Sequence, residues 1–359
     1  MDGAQPASGG RARGVAGDLA RLDQFASRRA SGAHGPGAAR NGVRGLRLGP
    51  GGEFDTLRAV FAQLGSAGGR DLGDDCALVS LGARTLAIST DLSLEGVHFR
   101  TDWLTLREIG WRATAAALSD LAAEGADPLG VLVSLGVRDR GKRTTDDAVE
   151  LMAGVGAAAR SVGARVLGGD LARSPRLLVD VCALGTVARA VRRSGARAGD
   201  ALWVTGRLGG AGLALRALQT GRRLDAGVRR RFAHPVPRIA AGRWLARHAA
   251  RAMIDISDGL AGDAGHVAAA SGVAVTLELD RVPCWPGVAP LGAARSGEEY
   301  ELLVALPRRF AERDARAFRR ATGVLLTRIG TCTHGRGVQM TDNGRPVAPP
   351  RGFDHFPAR

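Results

Sequence analysis

The sequence predicts an α/β protein made of two consecutive halves. Short apolar runs alternate along the chain with longer segments whose apolar residues recur at helical spacing. Arginine-rich, turn-forming sequence near residues 188–198 separates the two halves. The length of 359 residues accommodates two ordinary domains and an extension. We therefore predict a disordered Gly/Ala/Arg-rich extension over residues 1–48, an N-terminal domain over 49–190 and a C-terminal domain over 191–359.

The first half begins with a helix near Gly52, because apolar residues from Phe54 to Leu64 recur at helical spacing. The other elements predicted for this half are strands over 76–79 and 85–90, a long helix over 104–124, a strand over 131–137, a helix near 146–162 and strands over 164–167 and 177–187.

The second half opens with a turn and strand over 199–206 that run into a glycine-rich helix start. The elements predicted after it are helices over 238–250 and 260–270 and strands over 273–279, 301–305 and 324–329. Strands that alternate with helices in this way are typical of an α/β fold.

Composition excludes several classes of protein. The chain is 45% hydrophobic and has no unbroken apolar run near the roughly 18 residues that a membrane span needs. Its four cysteines form no C-x-x-C pair, so neither a disulfide framework nor a zinc site is indicated. No apolar signal-peptide core follows the N-terminal arginines. We predict a soluble, cytoplasmic protein with no membrane partner.

The formal net charge of +15 raises the possibility of nucleic-acid binding. The arginines are spread over the whole chain, however, and a single tyrosine leaves no aromatic platform for stacking bases. We predict no nucleic-acid partner and an attraction to anionic substrates. The rival interpretation, binding through the Arg-rich extension, predicts duplex affinity that weakens steeply with salt and ignores mutation of Asp120 or Asp255.

Aspartates recur at the ends of short apolar runs, beside Gly, Ser or Thr. They are Asp74, Asp75, Asp91, Asp120, Asp170, Asp255 and Asp258. At strand ends such side chains would meet in a cleft as a nest of carboxylates, and divalent cations relieve the repulsion in such a nest. Oxygen-only ligands favour magnesium or calcium over zinc. Taken singly, the motifs at Asp74-Asp75, at Asp170 and at 255–259 are equally well explained as turns or caps, whereas Asp120 on an apolar helix needs a partner. Ser257 or Asp258 is a natural N-cap whose helix N-terminus could bind phosphate.

Two phosphate-binding patterns fail on inspection. Residues 136–142 supply G-x-x-x-x-G-K, but Arg143 follows where a P-loop needs a magnesium-binding hydroxyl. The glycine cluster over 206–212 lacks the G-x-G-x-x-G spacing of a Rossmann site. The aspartates therefore remain the main candidates for phosphate chemistry.

Weaker candidates have ordinary structural alternatives. A lone His98 is commonly structural, and Arg193 belongs to what reads as a basic linker, although an arginine can hold phosphate through two hydrogen bonds. Glu298 lies in an acidic loop before a strand, and Phe353 lies near a C-terminus that it could pack down.

In this order the motifs resemble the thiamine-monophosphate kinase family, within the superfamily that includes aminoimidazole-ribonucleotide synthetase and selenophosphate synthetase. The resemblance runs from about Gly52 to Phe356. It implies a two-domain α/β fold and a homodimer in which strands of the N-terminal domains form a shared barrel. It also implies ATP-dependent phosphorylation of thiamine monophosphate to thiamine diphosphate by direct in-line transfer, with no catalytic general base.

The resemblance also implies site residues. Several Mg²⁺ ions would be held by Asp75, Ser89, Thr90, Asp91, Asp120, Asp170, Asp255 and Asp258. ATP would contact Gly169, Asp170, Arg193 and Ser257. Thiamine monophosphate would contact His98, Glu298 and Phe353.

The chain departs from the family pattern at several positions. Ala117 stands where the pattern has Asn, and Glu124 stands where it has Met. Ser296 replaces Gly, and Glu299 replaces Asp. None of these changes removes a proposed magnesium carboxylate. Among superfamily rivals, a selenophosphate synthetase would carry Cys or selenocysteine before Gly52, where this chain has none.

Overall fold

The computed structural model describes residues 47–64, 68, 72–350 and 352–356. The extension predicted over residues 1–48 lies outside the described residues except for its last two positions. The elements of the first half are α1 (Gly52–Leu64), β1 (Ala77–Leu81), β2 (Arg84–Leu94), α2 (Leu106–Ala123), β3 (Asp127–Val137), α3 (Lys142–Ser161), β4 (Arg165–Arg173) and β5 (Leu178–Val187).

The second half is also a mixture of strands and helices. Its elements are β6 (Ala201–Thr205), α4 (Gly210–Gln219), α5 (Ala226–Ala233), α6 (Ile239–Arg247), β7 (Ala252–Asp255), α7 (Leu260–Ser271), β8 (Ala274–Glu278), a 3₁₀ turn (Leu279–Arg281), α8 (Pro290–Arg295), β9 (Leu302–Leu306), α9 (Glu312–Thr322), β10 (Leu326–Thr333), β11 (Gly337–Asp342) and β12 (Arg345–Val347).

The first sheet has the strand order β1-β2-β5-β3-β4. All its pairings are antiparallel except β3 with β4. Residues along β5 alternate strictly between buried and half-buried, so helices cover one face of the sheet and leave the other open. Its outer strands are β1 and β4, and among the described residues these two do not pair with each other, so this sheet is not closed.

Helix α2 is the central element of the molecule. Thr105 caps it and forms a capping box with Glu108, which satisfies two free N–H groups at the helix start. Most of its residues are buried, because α2 packs against the first sheet, against α3 and against α6 and β7 of the second half. At Gly110 a Cβ would lie 2.0 Å from the carbonyl oxygen of Leu151, so α2 and α3 cross with their backbones in contact.

The second sheet has the order β12-β11-β8-β10-β6-β9-β7, antiparallel except for β8 with β11. One cluster of buried apolar side chains continues from the first sheet through α2 to β9 and α9 of this half. Within the described residues, no helix is both long enough and apolar enough to cross a membrane.

The elements predicted from sequence are present, with one informative error. The strand predicted to end at residue 167 continues through Gly168, Gly169 and Asp170 to Arg173. Asp170 therefore lies inside an exposed strand and not at its end. Asp91 likewise lies inside β2, whereas Asp255 closes β7. Asp120 lies inside α2, within the helix predicted over 104–124.

Candidate active site

A cavity of about 2070 Å³ is lined by residues of both halves. Its walls come from α1, β2, α2, the loop between β7 and α7, the loop between α8 and β9, and the C-terminal segment. The residues of the predicted site that line it are Asp91, His98, Asp120, Arg193, Asp255, Ser257, Asp258, Glu298 and Phe353.

Three carboxylates converge beside this cavity. Carboxylate oxygens of Asp75, Asp120 and Asp255 all lie within 4.8 Å of one another. Burial, followed by the neighbouring carboxylates, raises the pKa of Asp255 to about 8 and that of Asp120 well above its usual value. Asp75 Oδ2 is buried and has no hydrogen-bond partner among the described residues. A cluster of this kind is suited to a divalent cation, which would supply the missing positive charge.

Arg193 provides the nearest positive charge to the cluster. Its Nη2 donates to Asp75 Oδ1 at 2.7 Å, and its backbone N–H donates to Asp74 Oδ1 at 2.9 Å. Burial and the adjacent Asp75 raise the pKa of Asp74 to about 6. Arg193 Nε is buried and donates to no atom of the part of the chain that the structure describes, so this guanidinium retains a donor for a ligand.

The loop after β7 presents Ser257 and Asp258 to the cavity. The predicted capping role is wrong, because the N-cap of α7 is Gly259, at φ 117°, with no side-chain cap. Asp263 instead accepts a hydrogen bond from the Gly259 N–H at 3.0 Å. The side chains of Ser257 and Asp258 line the cavity, where no hydrogen bond from the described residues reaches them. Burial together with Glu53 and Glu298 raises the pKa of Asp258 to about 6.

Asp91 and His98 also line the cavity, and both lie close to Glu298. Burial and the Glu298 carboxylate are the main causes that raise the pKa of Asp91 to about 7. His98 Nδ1 accepts a hydrogen bond from the Leu94 N–H at 3.1 Å, which fixes the neutral tautomer with its proton on Nε2. Burial lowers the pKa of His98, so the ring is neutral at pH 7.

An aromatic wall closes this side of the cavity. The His355 ring centroid lies 5.1 Å from that of His98 and 4.8 Å from that of Phe353. Phe353 itself is held by its backbone N–H, which donates to Asp258 O at 3.0 Å.

The remaining predicted residues do not line the cavity. Ser89 is buried and donates a hydrogen bond to Asp120 Oδ2. Thr90, Gly169 and Asp170 are exposed and do not line the cavity. Thr90 pairs with Cys182, and Cys182 pairs with Leu132, so Thr90 projects from the open face of the first sheet.

Sequence reasoning missed Arg112, Tyr300 and His355. Arg112 is a lone charge on the apolar face of α2, and Tyr300 is the only tyrosine of the chain. Both features were visible in the sequence, yet neither shows which side chain it contacts. Only the fold shows that Arg112 and Tyr300 meet Glu298.

Comparison with known proteins first defines the class. Residues 73–187 match the family described as AIR synthase related protein, N-terminal domain, and residues 197–343 match AIR synthase related protein, C-terminal domain. The molecule thus has the mixed α/β two-domain fold of this class, as the sequence predicts.

Individual relatives show which family within this class the chain belongs to. The chain is 34% identical over 328 residues to thiamine-monophosphate kinase of Salmonella typhimurium, covering 85% of this chain and 98% of that protein. It is 39% identical over 245 residues to thiamine-monophosphate kinase of Mycobacterium tuberculosis, covering 65% and 73% of the two chains. This chain belongs to the thiamine-monophosphate kinase family.

Solved structures agree with this assignment. The structure described as AaThiL complexed with AMPPCP and TMP superposes with a TM-score of 0.74 at 28% identity, covering 85% of this chain and 97% of that one. Thiamine-monophosphate kinase from Stenotrophomonas maltophilia gives a TM-score of 0.67 at 32% identity, covering 84% and 99%.

Proposed function

We propose that this chain transfers the γ-phosphate of ATP to thiamine monophosphate, giving thiamine diphosphate. Relatives carrying that activity in their name match nearly their whole length, and one similar structure was complexed with AMPPCP and TMP. The observation that carries the proposal is the buried cluster of Asp75, Asp120 and Asp255, which lies beside a cavity that Glu298 and His98 also line.

We further propose that the carboxylate cluster binds Mg²⁺, with Asp91 and Asp258 as additional ligands. Two observations support this site: Asp75 Oδ2 has no hydrogen-bond partner among the described residues, and the pKa of Asp255 is raised. Both are expected of oxygen ligands whose negative charge a bound cation would balance. When bound, magnesium would neutralise the negative charge of the two phosphate groups that must approach each other.

The acceptor needs no base from the protein. A phosphate monoester has a second pKa near 6 and is largely dianionic at pH 7, so its oxygen is already a nucleophile. The task of the protein is then to position two anions in line, which is the main requirement of phosphoryl transfer. Arg193, with its unpartnered Nε, and Ser257 are the side chains that we propose for the ATP phosphates.

We also propose a homodimer whose first sheets form a barrel across the interface. The open face of that sheet carries exposed apolar side chains where a solvated face would be polar. They are Val79, Leu81, Leu92, Leu132 and Leu167. The proposed contacts of Thr90 and Asp170 with magnesium, and of Gly169 with ATP, would then lie beside the partner subunit. The division into domains near residue 190 is part of the same proposal, supported by one sheet on either side.

A direct assay tests the activity. Purified protein is incubated with ATP, Mg²⁺ and thiamine monophosphate, and thiamine diphosphate is measured by chromatography. Asp255→Asn should lower the rate by about 100-fold or more, since it removes charge stabilisation from the transferred phosphate. Asp127→Asn is the matched control, because Asp127 pairs with Arg243 outside this cavity.

Absence of product from the wild-type protein, or equal loss in both variants, would contradict the proposed activity. Direct transfer is tested separately with labelled ATP alone, and label trapped covalently on the protein would contradict an in-line mechanism.

A further inference from the structure

Two donors converge on a single oxygen of Glu298. Arg112 Nη2 donates to Glu298 Oε2 at 2.5 Å, and the Tyr300 hydroxyl donates to the same oxygen at 2.5 Å. No hydrogen bond from the described residues reaches Oε1, and the Glu298 side chain remains 31% accessible where it lines the cavity. Hydrogen bonds to an ionised group are short and strong, so the pair fixes one oxygen and leaves the other available.

Both donors are themselves held rigidly. Arg112 and Tyr300 are 5% and 6% exposed. The second guanidinium nitrogen of Arg112 donates to Phe232 O at 2.5 Å, and the guanidinium stacks 3.9 Å from the centroid of the Phe232 ring. A planar guanidinium fixed on two sides can hold a carboxylate in one orientation.

The backbone of the loop is strained at the same residues. Glu298 and Tyr300 adopt φ angles of 62° and 49°, in the left-handed region that residues other than glycine rarely adopt. The loop is kept there by backbone hydrogen bonds, from Glu298 N to Ser257 O at 2.7 Å and from Tyr300 N to Ile256 O at 2.8 Å. Such strain persists where surrounding structure enforces it, and it is concentrated at functional sites.

The free oxygen of Glu298 lies in a strongly negative part of the cavity. Glu298 is close enough to Asp91 and Asp258 to affect the pKa of both carboxylates. A cationic or hydrogen-bond-donating group is the ligand that such surroundings favour. Thiamine monophosphate carries both, a positively charged ring and an exocyclic amine, whereas the ATP phosphates are anionic.

We infer that Arg112 and Tyr300 are positioning residues that lock Glu298 so that its free oxygen binds the cationic or amino-bearing part of the acceptor. The inference rests on the proposed function for the identity of that acceptor. It assigns to Arg112 and Tyr300 an effect on acceptor binding and none on the ATP phosphates.

The test compares KM values for the two substrates. Tyr300→Phe removes a single hydroxyl, and it should raise KM for thiamine monophosphate about tenfold, the usual effect of losing a hydrogen bond to a charged group. KM for ATP and the thermal midpoint should stay unchanged. Arg112→Lys, which keeps the charge but not the planar fork, should act in the same direction. Arg229→Lys is the matched control. Arg229 pairs with Glu108, which lies on α2 as Arg112 does, but neither Arg229 nor Glu108 lines this cavity.

A double-mutant cycle separates positioning from a structural role. In a Glu298→Gln background, Tyr300→Phe should produce little further rise in KM, because its effect passes through Glu298. Additive effects in the cycle would overturn the inference. So would equal rises in KM for both substrates, or a loss of acceptor affinity that only accompanies a lower thermal midpoint.

Calorimetric titration with thiamine monophosphate alone keeps the two proposals distinct. If the wild-type protein binds thiamine monophosphate but makes no thiamine diphosphate, the proposed activity fails and the dissociation constants of the variants still decide the inference. Weaker binding by Tyr300→Phe supports it, and unchanged binding overturns it. No binding by the wild-type protein overturns both.

Discussion

Glu124 shows how one residue can oppose the stability of the fold. Its side chain is completely buried at the end of α2, and within the described ranges neither carboxylate oxygen has a hydrogen-bond partner. Burial, followed by the carboxylates of Asp74 and Asp75, raises the pKa of Glu124 from 4.5 to about 9. The folded protein therefore keeps this carboxyl protonated at pH 7, while the unfolded chain ionises it.

We therefore predict that Glu124→Met, which introduces the residue of the family pattern, raises the free energy of unfolding by an amount that depends on pH. Because the folded state binds the extra proton, stability is lost as pH rises from 4.5 towards 9, by about 1.4 kcal/mol per pH unit. The variant lacks this loss, so its advantage in unfolding free energy over the wild type should grow by about 3 kcal/mol between pH 6 and pH 8. Urea unfolding at both pH values measures it. Glu150→Met on α3 should show no such growth, because Arg107 lowers the pKa of Glu150 and this carboxyl is ionised in both states between pH 6 and pH 8. An advantage of Glu124→Met independent of pH would refute the explanation.

At the scale of elements, the loop between α8 and β9 caps a distant helix. Helix α4 begins after Gly209, which has no side chain to cap it. Glu299 Oε1 instead accepts from Gly209 N at 2.8 Å and Ala211 N at 3.1 Å, and Ser296 Oγ accepts from Gly212 N at 2.9 Å. Ser296 also donates to Glu299 Oε1 at 2.6 Å. Ser296 and Glu299, two of the departures from the family pattern, therefore form one hydrogen-bonded unit.

This unit predicts coupled effects on stability. Ser296→Gly should cost about 1 kcal/mol through the loss of its bond to Gly212 N. Glu299→Asp should cost about 2–3 kcal/mol, because the shorter side chain withdraws a buried carboxylate from two helix N–H groups. The double variant should lose less than the sum of the two, since each single change also breaks their mutual hydrogen bond. Chemical denaturation measures the cycle. Ser161→Ala, at the far end of α3, should be additive with Glu299→Asp, and additivity of Ser296→Gly as well would contradict the coupling.

An element could be predicted from the sequence when neighbouring residues carried the pattern that defines it. Helix α2 combines a capping box with a long apolar pattern, and both are properties of neighbouring residues. Helix α9 was missed because only Ala315 and Phe318 on it are buried, among many charged residues. The sequence predicts that a strand ends before Gly168 and Gly169, yet a Cβ on Gly169 would lie 1.9 Å from Val133 O. Glycine there permits the close approach of β3 and β4, a contact that the sequence does not display.

The same distinction between local patterns and distant contacts applies to the candidate site. Aspartates in short motifs were predicted to converge, and Asp75, Asp120 and Asp255 do. The contact between Arg112 and Glu298 joins residues 186 positions apart and depends on how α2 meets the second half. Side-chain type alone could not predict that contact.

At the scale of the whole molecule, no element of the described residues covers the open face of the first sheet, which carries exposed apolar side chains. Ladder pairing joins Thr90, Cys182 and Leu132, and Ser134, two residues beyond Leu132, pairs with Asp170. Exposed leucines and two residues proposed to bind magnesium therefore share this face. An apolar face of this kind is expected to be covered, and a second copy of the chain would cover it symmetrically.

The dimer proposal predicts the effect of one charged substitution. Leu132→Arg, on the open face of β3, should convert a dimer into a monomer, because a buried arginine without a partner costs several kcal/mol in an interface. Sedimentation velocity at micromolar concentrations measures the mass. Val149→Arg is the matched control: Val149 is 58% exposed, against 40% for Leu132, but lies on α3, on the helical side of the sheet. That variant should remain dimeric, with unfolding like that of the wild type. A monomeric wild-type protein, or a Leu132→Arg variant that dimerises as tightly as Val149→Arg, would show that this face is not the interface.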